Sequence, residues 1–525
     1  MVENQAPKKN KKSIWLVVSA LLVVLLGAVG VFAYQNFISN PLAQYLSAEK
    51  KTFEEVTDYY EEHYGNASNV NERLYDDAYE ADTVITGDLN IPTNLGLASP
   101  TELSMLQSLI SSASISTNVK VNPDSDEMYG NVDISLQGSS LANGVIYQND
   151  EITAAQVPFL YNKFFVLQNN RFGDFMRQSG HYYAPIEEIP NLVDMYQTTL
   201  TPEESKEMAK DYLQYIVEQL DEDKFEVNKG VAYLGEKYTK LSVNLEEYEV
   251  KQLFKGLLRQ LRDDDRFWDL MPKYQMGDLE QIKENFEYVI DEVDNLKFPQ
   301  GFTYEAFLKN GLVEHRKIRF TVGDGSGSDM MKVNTTLSTV INGKDDFSLT
   351  LDFDVQSTEE EEHVKFVYKE DGKPQGNGYS VARVIDFSYA DHYDDFGAII
   401  DAQTIYENNT SETSFDVTVK SPFMTMDILS GTLNTSVSYN NNEATKEFDL
   451  GLHVDLAALM MGNEDVDFNV HSTTDITFTE QLDFPAINGS NSVDVLELTP
   501  AEIDQITREV EENLYYYFGR FNGLF

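Results

Sequence analysis

Cysteine is absent from the 525 residues. That excludes disulfides, thiolate metal sites and the acylated cysteine of a lipoprotein, so packing alone has to hold the chain together. Histidine is scarce as well. His63, His181, His315, His363, His392, His453 and His471 are scattered, and no two fall four apart on a helix, so neither a metal site nor a cofactor is expected. The third shortage is positive charge. The chain holds 39 Lys and Arg against 88 Asp and Glu, a net charge of −49, and residues 1 to 12 carry four of the lysines and one Glu. Beyond them the balance is −52, from 35 basic and 87 acidic residues. Such a surface repels nucleic acid and anionic headgroups, which need Lys and Arg clusters, so no nucleic-acid partner is expected. The ordinary role of the acidic excess is solvation, and diffuse divalent-cation binding is the alternative.

What the sequence does have is one long apolar run, Ile14 to Tyr34, behind Lys8, Lys9, Lys11 and Lys12. Its 21 residues, at about 1.5 Å each, suffice to cross the ~30 Å hydrocarbon core of a bilayer. Trp15 and Tyr34 stand where interfacial aromatic anchors belong. The reading is a transmembrane helix over 14–34 with a cytoplasmic tail over 1–13, which makes the bilayer a partner and places the bulk of the chain outside the cell membrane. A cleaved signal peptide is the alternative, with Val31-Phe32-Ala33 as a weak cleavage site, but the apolar core is longer than such segments need. A disulfide-free exported chain with a short lysine-rich tail fits a Gram-positive cell envelope.

A chain that is 42% hydrophobic and 12% aromatic has material for two or three cores. Residues 35–81 read as a juxtamembrane helix and linker, with Tyr45, Phe53, Val56, Tyr59 and Tyr60 among Glu and Lys. From Val84 the pattern is β, interrupted by a helix entry at Ser99-Pro100-Thr101-Glu102, a capping box with Pro at the first helical position. Val132, Ile134 and Leu136 alternate with polar residues inside a meander running from Ile115 to Gln168. Thr201-Pro202-Glu203-Glu204 opens another helix, and a helical region extends from about Glu247 to Asn295. A second β section begins near Val313. Ile318, Phe320, Val322, then Leu349, Leu351, Phe353, Val355, then Phe415, Val417, Val419 and Phe448, Leu450, Leu452, Val454 all recur at period two. Thr499-Pro500-Ala501-Glu502 caps a final helix.

This order predicts an α+β chain: the transmembrane helix, then large antiparallel sheets with packed helices. Domains are expected at 82–245 (β-rich, α+β), 246–312 (a helical connector) and 313–525 (a second β-rich unit), with two half-barrel-like units as one arrangement. A single long sheet through both halves is the competing one.

Catalytic motifs do not emerge. Gly323-Asp324-Gly325-Ser326-Gly327-Ser328-Asp329 lacks the Lys-Ser/Thr of a phosphate loop and the ligand spacing of a calcium loop, and reads as a hairpin tip. No Gly-x-Ser-x-Gly stands in a strand-turn-helix setting. Runs such as Asp263-Asp264-Asp265 and Glu359 to Glu362 read as solvated charge. No catalytic residue is assigned and an enzyme is not expected. The compositional excess is aromatic, 30 Tyr and 30 Phe, clustered at Phe159, Tyr161, Phe164, Phe165, at Tyr182, Tyr183, at Phe267, Trp268 and at Tyr515 to Phe518. Such rings either fill the cores of sheets or line an apolar concave face.

The strand Val157 to Gln168, the meander from Met128 to Glu151 before it, and Leu496-Glu497-Leu498-Thr499-Pro500-Ala501-Glu502 resemble a family of uncharacterised single-pass envelope proteins of Gram-positive bacteria. In outline the order of elements is similar to the lipoprotein-localisation carriers and their mycobacterial lipid-binding relatives. The resemblance implies an open antiparallel half-barrel lidded by helices over an apolar cavity, an extracytoplasmic place and no catalytic residue. Two roles follow from it: a non-enzymatic envelope protein that binds or scaffolds at the cell surface, with a wall component or a protein as partner, or a lipid or lipoprotein carrier.

Overall fold

The computed structural model describes residues 41–92, 99–180, 186–193, 202–220, 222–270, 279–323, 330–342, 346–358, 362–376, 378–392, 395–407, 409–421, 424–457 and 465–521. Its helices are α1 (Pro41–Asp76), α2 (Pro100–Ser112), α3 (Phe172–Gln178), α4 (Pro202–Gln219), α5 (Glu247–Arg262), α6 (Asp265–Leu270), α7 (Leu279–Glu292) and α8 (Pro500–Phe521). The first strands are β1 (Tyr79–Asn90), β2 (Ala113–Asn122), β3 (Glu127–Leu136), β4 (Ser139–Gln148), β5 (Ile152–Val157) and β6 (Tyr161–Gln168). After α4 come β7 (Phe225–Tyr233), β8 (Glu236–Leu245), β9 (Phe302–Lys309), β10 (Leu312–Gly323), β11 (Met330–Asn342), β12 (Asp346–Ser357) and β13 (His363–Gln375). The series continues with β14 (Gly378–Ala390), β15 (Asp395–Glu407), β16 (Thr410–Ser421), β17 (Met424–Asn440), β18 (Glu443–Asp455), β19 (Asp465–Phe478) and β20 (Ser492–Asp494).

All twenty strands form one sheet. Neighbours in sequence pair antiparallel from β8 to β19, and β7 pairs with β8. β19 then pairs with β1, which starts the run β1 to β6. Only β20 lies parallel, against β6. Twelve register pairs from Tyr79↔Phe478 to Asn90↔Asp467 weld the early strands to the late ones. The expected α+β architecture with two half-barrel-like units is thereby corrected: the sheet is continuous through both halves. The physical reason is the β1–β19 ladder, which leaves no edge between the halves on which either could end.

The expected tail 1–13 and transmembrane helix 14–34 lie outside the described residues. Among the described residues no helix is long and apolar enough to cross a membrane. Most of the stretch 35–81 is α1, which lies on the sheet. Tyr45 meets β9 through Tyr304, Tyr59 stacks on Phe347 of β12 at 4.2 Å between ring centroids, and Arg73 covers Phe478 of β19 at 4.0 Å. The rise from residue 45 to 73 is about 42 Å, whereas the ten strand intervals from β9 to β19 measure about 48 Å along the sheet. The helix and the row of strands it crosses are of comparable length.

Helices α4, α5 and α7 fill the same face over β8 to β12. Leu253, Phe254, Leu257, Leu258 and Leu261 of α5 are buried there with Phe298, Phe302, Ile318 and Phe320. The capping boxes at Ser99 and Glu102 and at Thr499 and Glu502 both form, each carboxylate accepting from its cap's backbone N–H.

Candidate functional site

Because side chains alternate between faces along each strand, the unbroken register sorts the sheet into two surfaces. The outer face carries Asp352, Asp354, Lys365, Asp386, Asp401, Asp416, Asp449 and Asp467, among many polar residues. The inner face, the one bearing α1, is apolar across strands. Leu351, Tyr368, Ile385, Ile400, Val417, Leu429, Val454 and Val466 stand directly opposite one another from β12 to β19. Phe448, Ser472, Ile85, Ile115 and Ile134 continue a parallel line from β18 to β3.

This face is uncovered over much of its length. Phe387, Phe396, Ile400, Phe448, Ile115, Val132 and Ile134 are between 36% and 45% exposed, and all seven belong to it; of the strongly exposed apolar residues on these strands Val84 alone points outward. From β13 through β19 and β1 to β3 there are nine strand intervals, an open floor about 43 Å long at ~4.8 Å per interval. One flank is α1. One end is plugged by α4, α5 and α7, and at the other α8 covers β5 and β6, where the Asn513 amide donates to Leu160 O at 2.9 Å and Tyr517 packs on Phe159.

Two buried polar systems hold α1 on the sheet. Glu49, 1% exposed, accepts from Arg316 Nε at 2.8 Å and from its Nη2, while the Tyr45 and Tyr304 hydroxyls lie 2.6 Å apart beside it. Burial opposes a charge on Arg316, but the Glu49 carboxylate and its hydrogen bonds hold that pKa above the usual range. Further along, Glu370 accepts from Tyr60, Tyr368 and Arg383, and Gly372 leaves the room into which the Tyr59 and Tyr379 rings press.

A third network lies on the outer face. A bulge between Val313 and His315 buries Glu314 and His315. Tyr238 donates to Glu314 at 2.8 Å, and His315 contacts Tyr238 OH at 3.2 Å and Ser338 Oγ at 2.8 Å. Burial, with Arg316, Lys317 and Lys309 nearby, lowers the imidazole to about 4. The unfolded chain takes up that proton near pH 6.5, the native chain only near 4, so stability falls as pH drops through that window. Urea titrations from pH 7 to 4 should show this loss, and His315→Gln should flatten it.

The structure does not bring the residues singled out in the sequence together on the floor. Tyr161 stacks on Phe165, Phe164 is buried beside Tyr147, and Phe267 and Trp268 pack against Phe286, all off the open stretch. Tyr182, Tyr183, His181 and most of the Gly323–Asp329 segment lie outside the described residues. His363, His453 and His471 are exposed outer-face partners of Asp354, Asp467 and Asp449. Among the described residues no cluster of three or more His, Asp or Glu could hold a metal.

No family model and no curated protein matches the chain. Solved structures similar to it include OccK5 (OpdH) of Pseudomonas aeruginosa, 6% identical over 76% of this chain and 97% of that one, with a TM-score of 0.25. The channel DcaP of Acinetobacter baumannii is 8% identical over 76% and 94% at 0.21, and a loop-deletion form of Vibrio cholerae OmpT 8% over 76% and 98% at 0.18. Superposition this slight carries no argument about what the chain does. The comparisons nevertheless correct several expectations. They return outer-membrane channels of Gram-negative bacteria and no Gram-positive single-pass envelope family. The surface scaffold, the lipid carrier and the single-pass cell-membrane placement drawn from that family fall with it. Of the partners expected, the bilayer alone is common to those structures.

Proposed function

We propose that this protein is a non-enzymatic transport protein that passes hydrophobic molecules along its open floor. One observation carries the reading: the apolar inner face runs from β12 to β19 and on from β18 to β3 in two in-register lines, and Phe387, Phe396, Ile400, Phe448, Ile115, Val132 and Ile134 are exposed on it. Contiguous exposed apolar surface of this extent marks a place where something apolar is bound, and each Å² covered returns about 25 cal/mol. An exposed face of this length favours movement along it over storage of a single molecule. The polar outer face keeps the loaded protein in water.

Titration with the neutral fluorophore N-phenyl-1-naphthylamine tests this. More than one probe should bind per chain. Ile400→Asn and Ile115→Asn, about 29 Å apart along the sheet, should each remove only part of the signal. A single site abolished by either substitution, or no binding at all, would overturn the reading.

A further inference from the structure

The polar outer face is not flat. Near one end of β11 to β15 it holds a hollow of about 310 Å³, at the lower end of the range for small-molecule sites. The sequence makes the depression. Ser348 of β12 and Ser380 and Ala382 of β14 put small side chains on this face, and the longer Asn342, Asp346, Asp371, Lys373 and Gln403 line the hollow with them.

Its charges do not neutralise one another. Elsewhere on the outer face basic side chains pair with aspartates: Lys365 with Asp352 at 3.7 Å, and His363 with Asp354 and His453 with Asp467 at 2.8 Å. Lys373 lines the same hollow as Asp346 and Asp371, yet among the described residues these three side chains and that of Asn342 have no hydrogen-bond or ion-pair partner. Gln403 Nε2 donates to Ser380 Oγ at 2.6 Å and fixes the base. From behind, on the inner face, Tyr59 of α1 stacks on Phe347 at 4.2 Å, and the Tyr59 and Tyr379 rings close over Gly372. A hollow whose backbone is clamped in this way is formed before any ligand arrives, which lowers the ordering cost of binding.

The lining selects the chemistry. Two carboxylates disfavour an anion, and the ammonium beside them disfavours a cation. A neutral molecule bearing hydroxyls suits both, because each hydroxyl can donate to Asp346 or Asp371 and accept from Lys373, Asn342 or Gln403. Val340 and Ala382 add apolar contact between the polar groups, which matches the C–H faces of a sugar ring. The lining spans five strands, β11 to β15, or about 19 Å across four intervals. That is too far for a compact zwitterion such as an amino acid to bridge.

We propose that this hollow is a binding site for a short neutral oligosaccharide, held by Asp346, Asp371 and Lys373 over a base of Ser348, Ser380 and Ala382. It lies on the reverse of the apolar floor, so its occupancy is independent of the transport reading.

Isothermal titration calorimetry on the full chain tests it with maltotriose, cellotriose, mannotriose and xylotriose, beside trigalacturonate, the glucosamine trimer and triglycine. At least one neutral trisaccharide should bind with a Kd of about 1 mM or tighter, and about tenfold more tightly than the acid, the amine or the peptide. Asp371→Ala, at an exposed position, should weaken that binding about tenfold, the usual effect of removing a hydrogen bond to a charged group. Ala382→Phe, which fills the base, should abolish it. Thermal unfolding reports whether each variant folds, and Asp371→Ala decides alone if Ala382→Phe does not. Absence of binding by all four neutral trisaccharides, tighter binding of a charged trimer or of triglycine, or neutral binding left unchanged by the folded variants would overturn the assignment.

Discussion

Arg316→Met is expected to destabilise the protein by about 3–5 kcal/mol, the usual cost of leaving one member of a buried ion pair alone. Glu49 is 1% exposed and sits between α1 and β10, with Arg316 as its cationic partner. Once the guanidinium is gone, the carboxylate must be protonated or exposed, and either route loosens the helix. Tyr304 donates only a long hydrogen bond to it, 3.4 Å, and cannot replace the charge. The double variant Glu49→Met with Arg316→Met should recover most of the loss, because two apolar side chains of similar volume need no partner. The denaturation midpoint in guanidinium chloride reads both. Equal destabilisation by single and double variants would mean that packing, and not charge, holds α1 there.

Phe254→Ala is expected to cost about 3–5 kcal/mol as well, for a different reason. The side chain is fully buried, and its ring lies edge-on to Phe298, Phe302 and Phe320 with centroids 5.4, 6.4 and 6.3 Å away. These rings join α5 to β9 and β10, so the cavity opens under the helices that plug one end of the floor. Phe254→Leu should lose far less, because it refills most of the volume. Thermal unfolding of the two variants side by side gives the comparison. If the two lost stability equally, the site would be discriminating ring geometry more than volume.

The two effects mark the boundary of what can be read from sequence. Strand alternation is local, so Leu349, Leu351, Phe353 and Val355 announce one face of β12, and the structure puts them there. The helix caps at Ser99 and Thr499 are local too, each closed within three residues. By contrast, β1 and β19 lie nearly 400 residues apart, and no turn signal joins them; their pairing decides between two sheets and one. The period-two pattern says that a strand has a dry side, but it is silent on what covers that side. The floor therefore looks in sequence like an ordinary core. Glu49 and Arg316 look like solvated charge for the same reason: their burial is created by α1 crossing the sheet from β9 to β19, and the amphipathic seam of that helix carries no record of its partner. The aromatic clusters misdirect, since their neighbours in sequence are also their neighbours in the packed ends of the molecule.

What most needs testing is that the inner face from β13 to β3 is apolar and exposed along its length. Photolabelling with a neutral diazirine-bearing alkane, mapped by peptide mass spectrometry, tests it most directly. The account predicts labels at inner-face positions along the whole lane, including Ile400, Val417, Phe448, Ile115 and Ile134, and little at Asp401, Asp416 and Asp449 on the reverse side. Labelling shared equally between the two faces, or confined to one end of the sheet, would contradict it.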